Sequence, residues 1–197
     1  AAYSLVDSYL YQDLQTVTGV DLATRKGEEH NETVFFTIGA DKKSNKRPLN
    51  ITSGRMEFPQ IIETFKALSQ NFPNTIFVVE NNAAQEYVVQ HLKDTTGIRV
   101  VGFTTGKQKA DPTIGVRAMG VDFENGKWLI PRGNETEKWV KEFLAWSPQS
   151  HTGDRIMASW FADTYLRQHT FTESFITVAD VGGERRSDEE IGWHDLE

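Results

Sequence analysis

The chain has 197 residues, 38% of them hydrophobic and 11% aromatic, enough for one ordinary core with at most a tail beside it. No run approaches the roughly 18 apolar residues of a membrane span, no signal peptide opens the chain, and the absence of cysteine excludes disulfides, zinc fingers, thiolate nucleophiles and iron–sulfur clusters. The net charge of −7 is uneven: the segment after Thr170 holds eight acids and two bases, so the body is near neutral and the acidic total argues only weakly against a nucleic-acid partner.

In chain order, Leu5, Tyr9 and Leu10 have the spacing of a short amphipathic helix, and residues 1–14 read as a helix or linker. The β-branched run that ends at Asp21 reads as a first strand, TVFFTIGA (33–40) as a second, and the segment around 47–53, with Pro48 near its start, as a third. The period then changes. Ile61, Ile62, Phe65 and Leu68 share one helical face behind Pro59, NTIFVVE (74–80) reads as a buried parallel strand, and NNAAQEYVVQHL as a helix with Ala84, Tyr87, Val88 and Leu92 inward. IRVVGF (98–103) is a further buried strand. After it come a helix from Pro112, a short GKWLIP strand, a helix over 135–144 and a last helix from Asp154. Three antiparallel strands running into parallel βαβ units give an α/β fold, a mixed sheet of five or more strands with helices on both faces. The domain spans 15–169, and residues 170–197 read as an acidic tail.

Three acids stand out by position: Asp21 ends the first strand, Glu80 the fourth, and Asp154 opens the last helix. If strands one and four lie side by side and parallel, their carboxyl ends bring Asp21 and Glu80 together at the edge where open α/β sheets bind ligands. Three carboxylates at one edge repel one another and call for a divalent cation. Oxygen ligands without cysteine favour Mg²⁺ or Mn²⁺, often as two ions about 3.5–4 Å apart. Each acid also has a structural reading: Asp154 as a helix N-cap, Asp21 as a turn residue, Glu80 with Asn81 and Asn82 as a cap for the next helix.

Gly19-Val20-Asp21-Leu22-Ala23, then Val78-Val79-Glu80-Asn81-Asn82, then His151-Thr152-Gly153-Asp154 resemble, in order and spacing, the nuclease domain of the large terminase subunit of tailed bacteriophages. The resemblance covers residues 15–168 and implies an RNase H-like fold. It also implies that Asp21, Glu80 and Asp154 are catalytic ligands of two divalent cations, Mg²⁺ or Mn²⁺. His151 matches a histidine that some members place beside the metals, where it would orient water or shuttle a proton. Many members follow the helix-start acid with a second acid; Arg155 stands here, and Asp163 lies nine residues on. The implied activity is metal-dependent endonucleolytic cleavage of concatemeric double-stranded DNA during viral packaging. Its implied partners are the packaging ATPase domain, the small terminase subunit and the portal, and its setting the host cytoplasm during assembly, with no membrane contact. These residues read as the nuclease half alone, without the ATPase half. Gly102-Phe103-Thr104-Thr105-Gly106-Lys107-Gln108 has three residues between its glycines instead of four and no Ser or Thr after the lysine, so it is a loop and not a P-loop. An isolated nuclease domain suits a start at Ala1, although Met removal would look the same.

DNA-backbone contacts need cations. Lys107, Lys109 and Arg117 follow the fifth strand; Lys42, Lys43, Lys46 and Arg47 crowd the loop after the second, with Arg55 further on, and of these Lys43 and Arg47 are the DNA-binding candidates. Trp139, Phe143 and Trp146, and Trp160 with Phe161, read as core. Three other readings stay open. Another RNase H-like nuclease, a junction resolvase or ribonuclease H, also gathers acids at the ends of strands one and four. A non-catalytic DNA-binding domain keeps the fold without metal affinity. A sugar-kinase-like ATPase shares the topology but needs glycine-rich phosphate loops that Asp21–Lys26 lacks.

Overall fold

The computed structural model describes residues 13–23, 32–80, 83–104, 115–147 and 153–169. The amino-terminal helix, Asn81, Asn82, Lys107, Lys109, His151 and the acidic tail lie outside the described residues. The elements run β1 (Gln15–Asp21), β2 (Thr33–Ala40), β3 (Lys46–Gly54), α1 (Phe58–Asn71), β4 (Ile76–Glu80), α2 (Ala83–Thr95), β5 (Val100–Phe103), α3 (Val116–Glu124), α4 (Asn134–Ala145) and α5 (Asp154–Gln168). The strands form one sheet in the order β3-β2-β1-β4-β5, antiparallel from β3 to β1 and parallel from β1 to β5. This is the mixed sheet expected from the pattern of periods.

Side chains along a strand alternate between faces, and here both faces are covered. Val17, Val34, Phe36, Ile38 and Val78 pack under α3, α4 and α5, with Trp139, Trp160 and Phe161 in the same cluster. Val20, Phe35, Phe77 and Val79 pack against Ile61, Ile62, Phe65 and Leu68 of α1 and Val88 and Leu92 of α2. Two-sided burial leaves all eight residues of β2 buried, Thr33 and Thr37 included. On the α1 face, Thr18 Oγ1 lies 2.9 Å from Thr37 Oγ1 and 3.0 Å from Thr75 Oγ1, so three buried hydroxyls satisfy one another across β2, β1 and the lead into β4.

Two expectations need correction. Tyr87 does not face inward: it is 67% exposed, its ring 5.5 Å from that of Phe58. Val88 and Leu92, with the half-buried Val89, fill the sheet-facing side, so the buried stripe is rotated off Tyr87. GKWLIP does not form a strand but a single parallel bridge from Trp128 to Lys46, made by Lys46 N–H to Lys127 O (2.7 Å) and Leu129 N–H to Lys46 O (2.8 Å). Trp128 turns inward to stack on Phe123, and Pro131 has no N–H with which to extend the ladder. Pro48 is tolerated because β3 is an edge strand and its pairing with β2 shifts register there, Thr37 facing Asn50 and Ile38 facing Pro48.

A candidate metal centre at the carboxyl edge of the sheet

The β1–β4 pair runs parallel with Val20 beside Val79, so the next residues, Asp21 and Glu80, end adjacent strands about 4.8 Å apart. The pleat also puts them on one face. Asp21 follows Val17 and Gly19 in the period of two, Glu80 follows Val78, and these residues face α5.

Gly19 sets how α5 lies on that face. A Cβ there would stand 1.8 Å from the Ala158 carbonyl oxygen and 2.9 Å from Ala162 N, so only glycine lets the helix rest on β1 backbone to backbone. The helix runs antiparallel to the strand. Its far end meets the start of β1, where Gln15 Nε2 donates to His169 O at 3.1 Å. Strand and helix are each about 20 Å long by their rises per residue, so the first turn of α5 arrives over the end of β1. Asp154 thereby joins the edge that carries Asp21 and Glu80. Its Oδ2 accepts the backbone N–H of Glu32 at 2.8 Å, just ahead of β2, in which Val34 pairs with Asp21.

Asp154 is not the cap of its helix. Gly153 occupies the N-cap position and makes no side-chain cap bond. The cap comes from α4: Glu142 Oε2 accepts the N–H groups of Arg155 (3.1 Å) and Ile156 (3.3 Å). A Cβ at residue 153 would stand 2.3 Å from that oxygen, so a side chain there would have to displace the Glu142 carboxylate from its capping position. Arg155 is 6% exposed and paired with Glu142 (3.0 Å), Glu135 (2.9 Å) and Glu32 (3.0 Å), and it donates to Ser53 Oγ (2.7 Å). Burial works against the Glu135 carboxylate, but hydrogen bonds from Lys138, Ser53 and Arg155 outweigh it and hold its pKa down at about 2. Glu142 is more deeply buried, and burial pushes its carboxyl up despite the bonds from Arg155. The Arg155 guanidinium, opposed by burial, is held protonated by Glu142 and Glu135.

Other candidate residues fall elsewhere. Asp163 is 1% exposed, about 14 Å further along α5, and paired with Lys46 and Arg167. It belongs to a quartet, buried at Lys46 and Asp163 and partly exposed at Arg167 and Asp122, in which Asp122 lies 2.6 Å from both cations, and so does not supply a fourth carboxylate to the edge. Lys43 is exposed in the β2–β3 turn and Arg47 half-buried near the start of β3; Asp21 pairs with Val34 and Arg47 with Gly39, so Arg47 lies about 17 Å from the acids along β2, and Lys43 lies further off, past the end of the strand. Arg117 is exposed beside Ala118, whose carbonyl accepts from Arg167 in the last turn of α5. The structure thus brings none of these three to the edge of the acids, whereas Arg55, exposed just past β3, is there. A cavity of about 170 Å³ also opens at the far end, lined by Gln15, Asp41, Lys46, Asp122 and Arg167 among others.

Among the described residues no three His, Asp or Glu side chains are already closed into a metal-holding group. The acids share an edge without forming a finished ligand shell, and as carboxylate donors they suit a hard divalent cation. Arg155, Glu32, Glu135 and Glu142 were not singled out by sequence as a network. The available signal was Glu135 and Glu142, seven apart and so on one face of α4.

The strand order and the helices on both faces are those of an RNase H-like fold. No protein-family model matches the chain, and no curated protein matches it in sequence. Among solved structures, it is similar to the large terminase nuclease from thermophilic phage G20c, with TM-score 0.56 and 14% identity over 77% of this chain and 82% of that one. The same phage nuclease with bound magnesium gives TM-score 0.57 at 14% identity, covering 76% and 80%. The yeast mitochondrial Holliday junction resolvase Ydc2 gives TM-score 0.52 at 13% identity, covering 83% and 84%. At these identities the likeness is one of fold, and it is the fold that the sequence motifs imply.

Proposed function

We propose that the chain is a metal-dependent DNA endonuclease domain of the terminase type, hydrolysing phosphodiester bonds of concatemeric double-stranded DNA in viral packaging. The observation that supports it is the placement of Asp21 and Glu80 side by side on the face over which α5 delivers Asp154. These three carboxylates would hold two divalent cations, Mg²⁺ or Mn²⁺, which when bound acidify an attacking water and stabilise the leaving 3′ oxygen. The carboxylates act as ligands and not as nucleophiles, so no covalent enzyme–DNA intermediate forms. His151, three residues before Asp154, orients water or relays a proton near neutral pH.

Lys107, Lys109 and Arg117 are proposed as phosphate contacts, with Lys43 and Arg47 serving duplex about five or more base pairs away along the sheet instead of the scissile phosphate. The same reading brings with it the packaging ATPase, the small terminase subunit and the portal as partners, and the host cytoplasm as the setting. Among the described residues no helix is long and apolar enough to cross a membrane. The likeness to the resolvase supports a second reading, a junction-cleaving nuclease on the same three acids.

The test is cleavage of supercoiled plasmid with Mn²⁺, Mg²⁺ or EDTA, beside Asp21→Ala. Metal-dependent nicking that the variant loses supports the endonuclease. A panel of linear duplex, four-way junction and RNA–DNA hybrid separates the terminase reading from the resolvase and ribonuclease H readings. DNA binding with no cleavage under either metal, from folded protein, sinks the catalytic reading in favour of a binding domain.

A further inference from the structure

Arg155 gathers the lead into β2, the end of β3 and two residues of α4 onto the first turn of α5. Of these contacts, Glu32 is bonded twice to the start of the helix. Its backbone N–H donates to Asp154 Oδ2 at 2.8 Å, and its carboxylate lies 3.0 Å from Arg155 Nη2. One residue, 122 positions earlier in the chain, thus grips two consecutive helix residues at once.

We propose that Arg155 and Glu32 form a positioning clamp that fixes the orientation of the Asp154 carboxylate for divalent-cation binding. The proposal rests on the metal-site reading above. An aspartate in the first turn of a helix has two rotatable side-chain bonds, and a donor on one oxygen removes much of that freedom. The donor is itself a backbone group, so it is only as fixed as its segment, and the Glu32–Arg155 pair anchors that segment. The planar guanidinium serves several acceptors in a fixed geometry, which a lysine ammonium cannot reproduce. If Arg155 served only to neutralise Glu135 and Glu142, metal affinity would be indifferent to Glu32.

The experiment uses the 197-residue chain and its Glu32→Ala, Glu32→Gln, Arg155→Lys and Asp21→Ala variants. Bound Mn²⁺ is measured from the EPR signal of the free ion, with and without a short DNA duplex. Thermal melting checks the fold, and NMR hydrogen exchange reads the Glu32 amide. Glu32→Ala is expected to weaken Mn²⁺ binding about tenfold or more, the scale on which residues that orient metal ligands act, and to lose amide protection while remaining folded. Glu32→Gln keeps an acceptor for Arg155 and recovers most of the affinity, whereas Arg155→Lys falls between. Equal Mn²⁺ affinity in wild type and folded Glu32→Ala overturns the clamp. A wild type that takes up no more Mn²⁺ than Asp21→Ala overturns the metal reading itself, and the clamp's role with it; the two failures differ in whether the wild type binds.

Discussion

Asp154 and Arg155 are neighbours with different surroundings. Asp154 lies at an edge with two other acids, while Arg155 is buried among carboxylates that it neutralises. On the proposed reading, Asp21→Ala, Glu80→Ala and Asp154→Ala each abolish plasmid cleavage; the first two leave thermal stability within about 0.5 kcal/mol or slightly raised, because they relieve carboxylate repulsion, whereas Asp154→Ala also takes the acceptor from the Glu32 N–H and costs about 1–3 kcal/mol. A melting collapse in Asp154→Ala would count against a ligand role for that residue. Glu135 makes a separate prediction about acid stability. Its folded pKa of about 2 lies below the ordinary value of 4.5, so its contribution is complete above pH 4.5 and fades as pH falls toward 2. Glu142, shifted upward, works in the opposite sense. Melting curves of wild type and Glu135→Gln should therefore diverge above pH 4.5 and converge toward pH 2.

At the scale of elements, the contact of α5 with β1 rests on the absence of one side chain. Gly19→Ala drives a methyl into the Ala158 carbonyl, a backbone atom that cannot rotate away. The expected cost is about 1–3 kcal/mol, read from the urea midpoint, with metal affinity falling as Asp154 lifts from the edge. At the other end of the helix, Lys46→Met leaves Asp163 and Asp122 to Arg167 alone. The expected loss is about 3–5 kcal/mol, the range for breaking a buried ion pair from one side. Much of this architecture was legible in the residues. β2 and α5 begin where the sequence reading put them, because a run of β-branched and aromatic residues and an acid opening a helix are local signals. Tyr87 and Trp128 were misplaced because their neighbours decide their environment: Val88 and Leu92 occupy the buried side of α2, and Phe123 draws Trp128 out of strand geometry. The Arg155 network was legible only as far as Glu135 and Glu142 on one face of α4, since Glu32 and Ser53 come from segments that only the folded chain joins to it.

For the whole molecule, the acids are largely segregated from Lys43, Arg47 and Arg117. Lys43 and Arg47 stand toward the opposite end of the sheet from Asp21, and Arg117 lies near the far end of α5. On the proposed reading, Lys43→Ala and Arg47→Ala should each lower the slope of log affinity against log salt by about 1 on a long duplex. On a duplex too short to reach the far end they should have no effect; equal effects on both lengths would place the DNA elsewhere. The order of the chain has a consequence for synthesis. Asp21 and Glu80 leave the ribosome well before the helix that carries Asp154, and that helix cannot settle until β1, β2 and β4 have paired beneath it. A nascent or truncated polypeptide therefore holds two of its three acids without the third, and on the proposed reading translation must reach the end of α5 before the product can harm the nucleic acid around it.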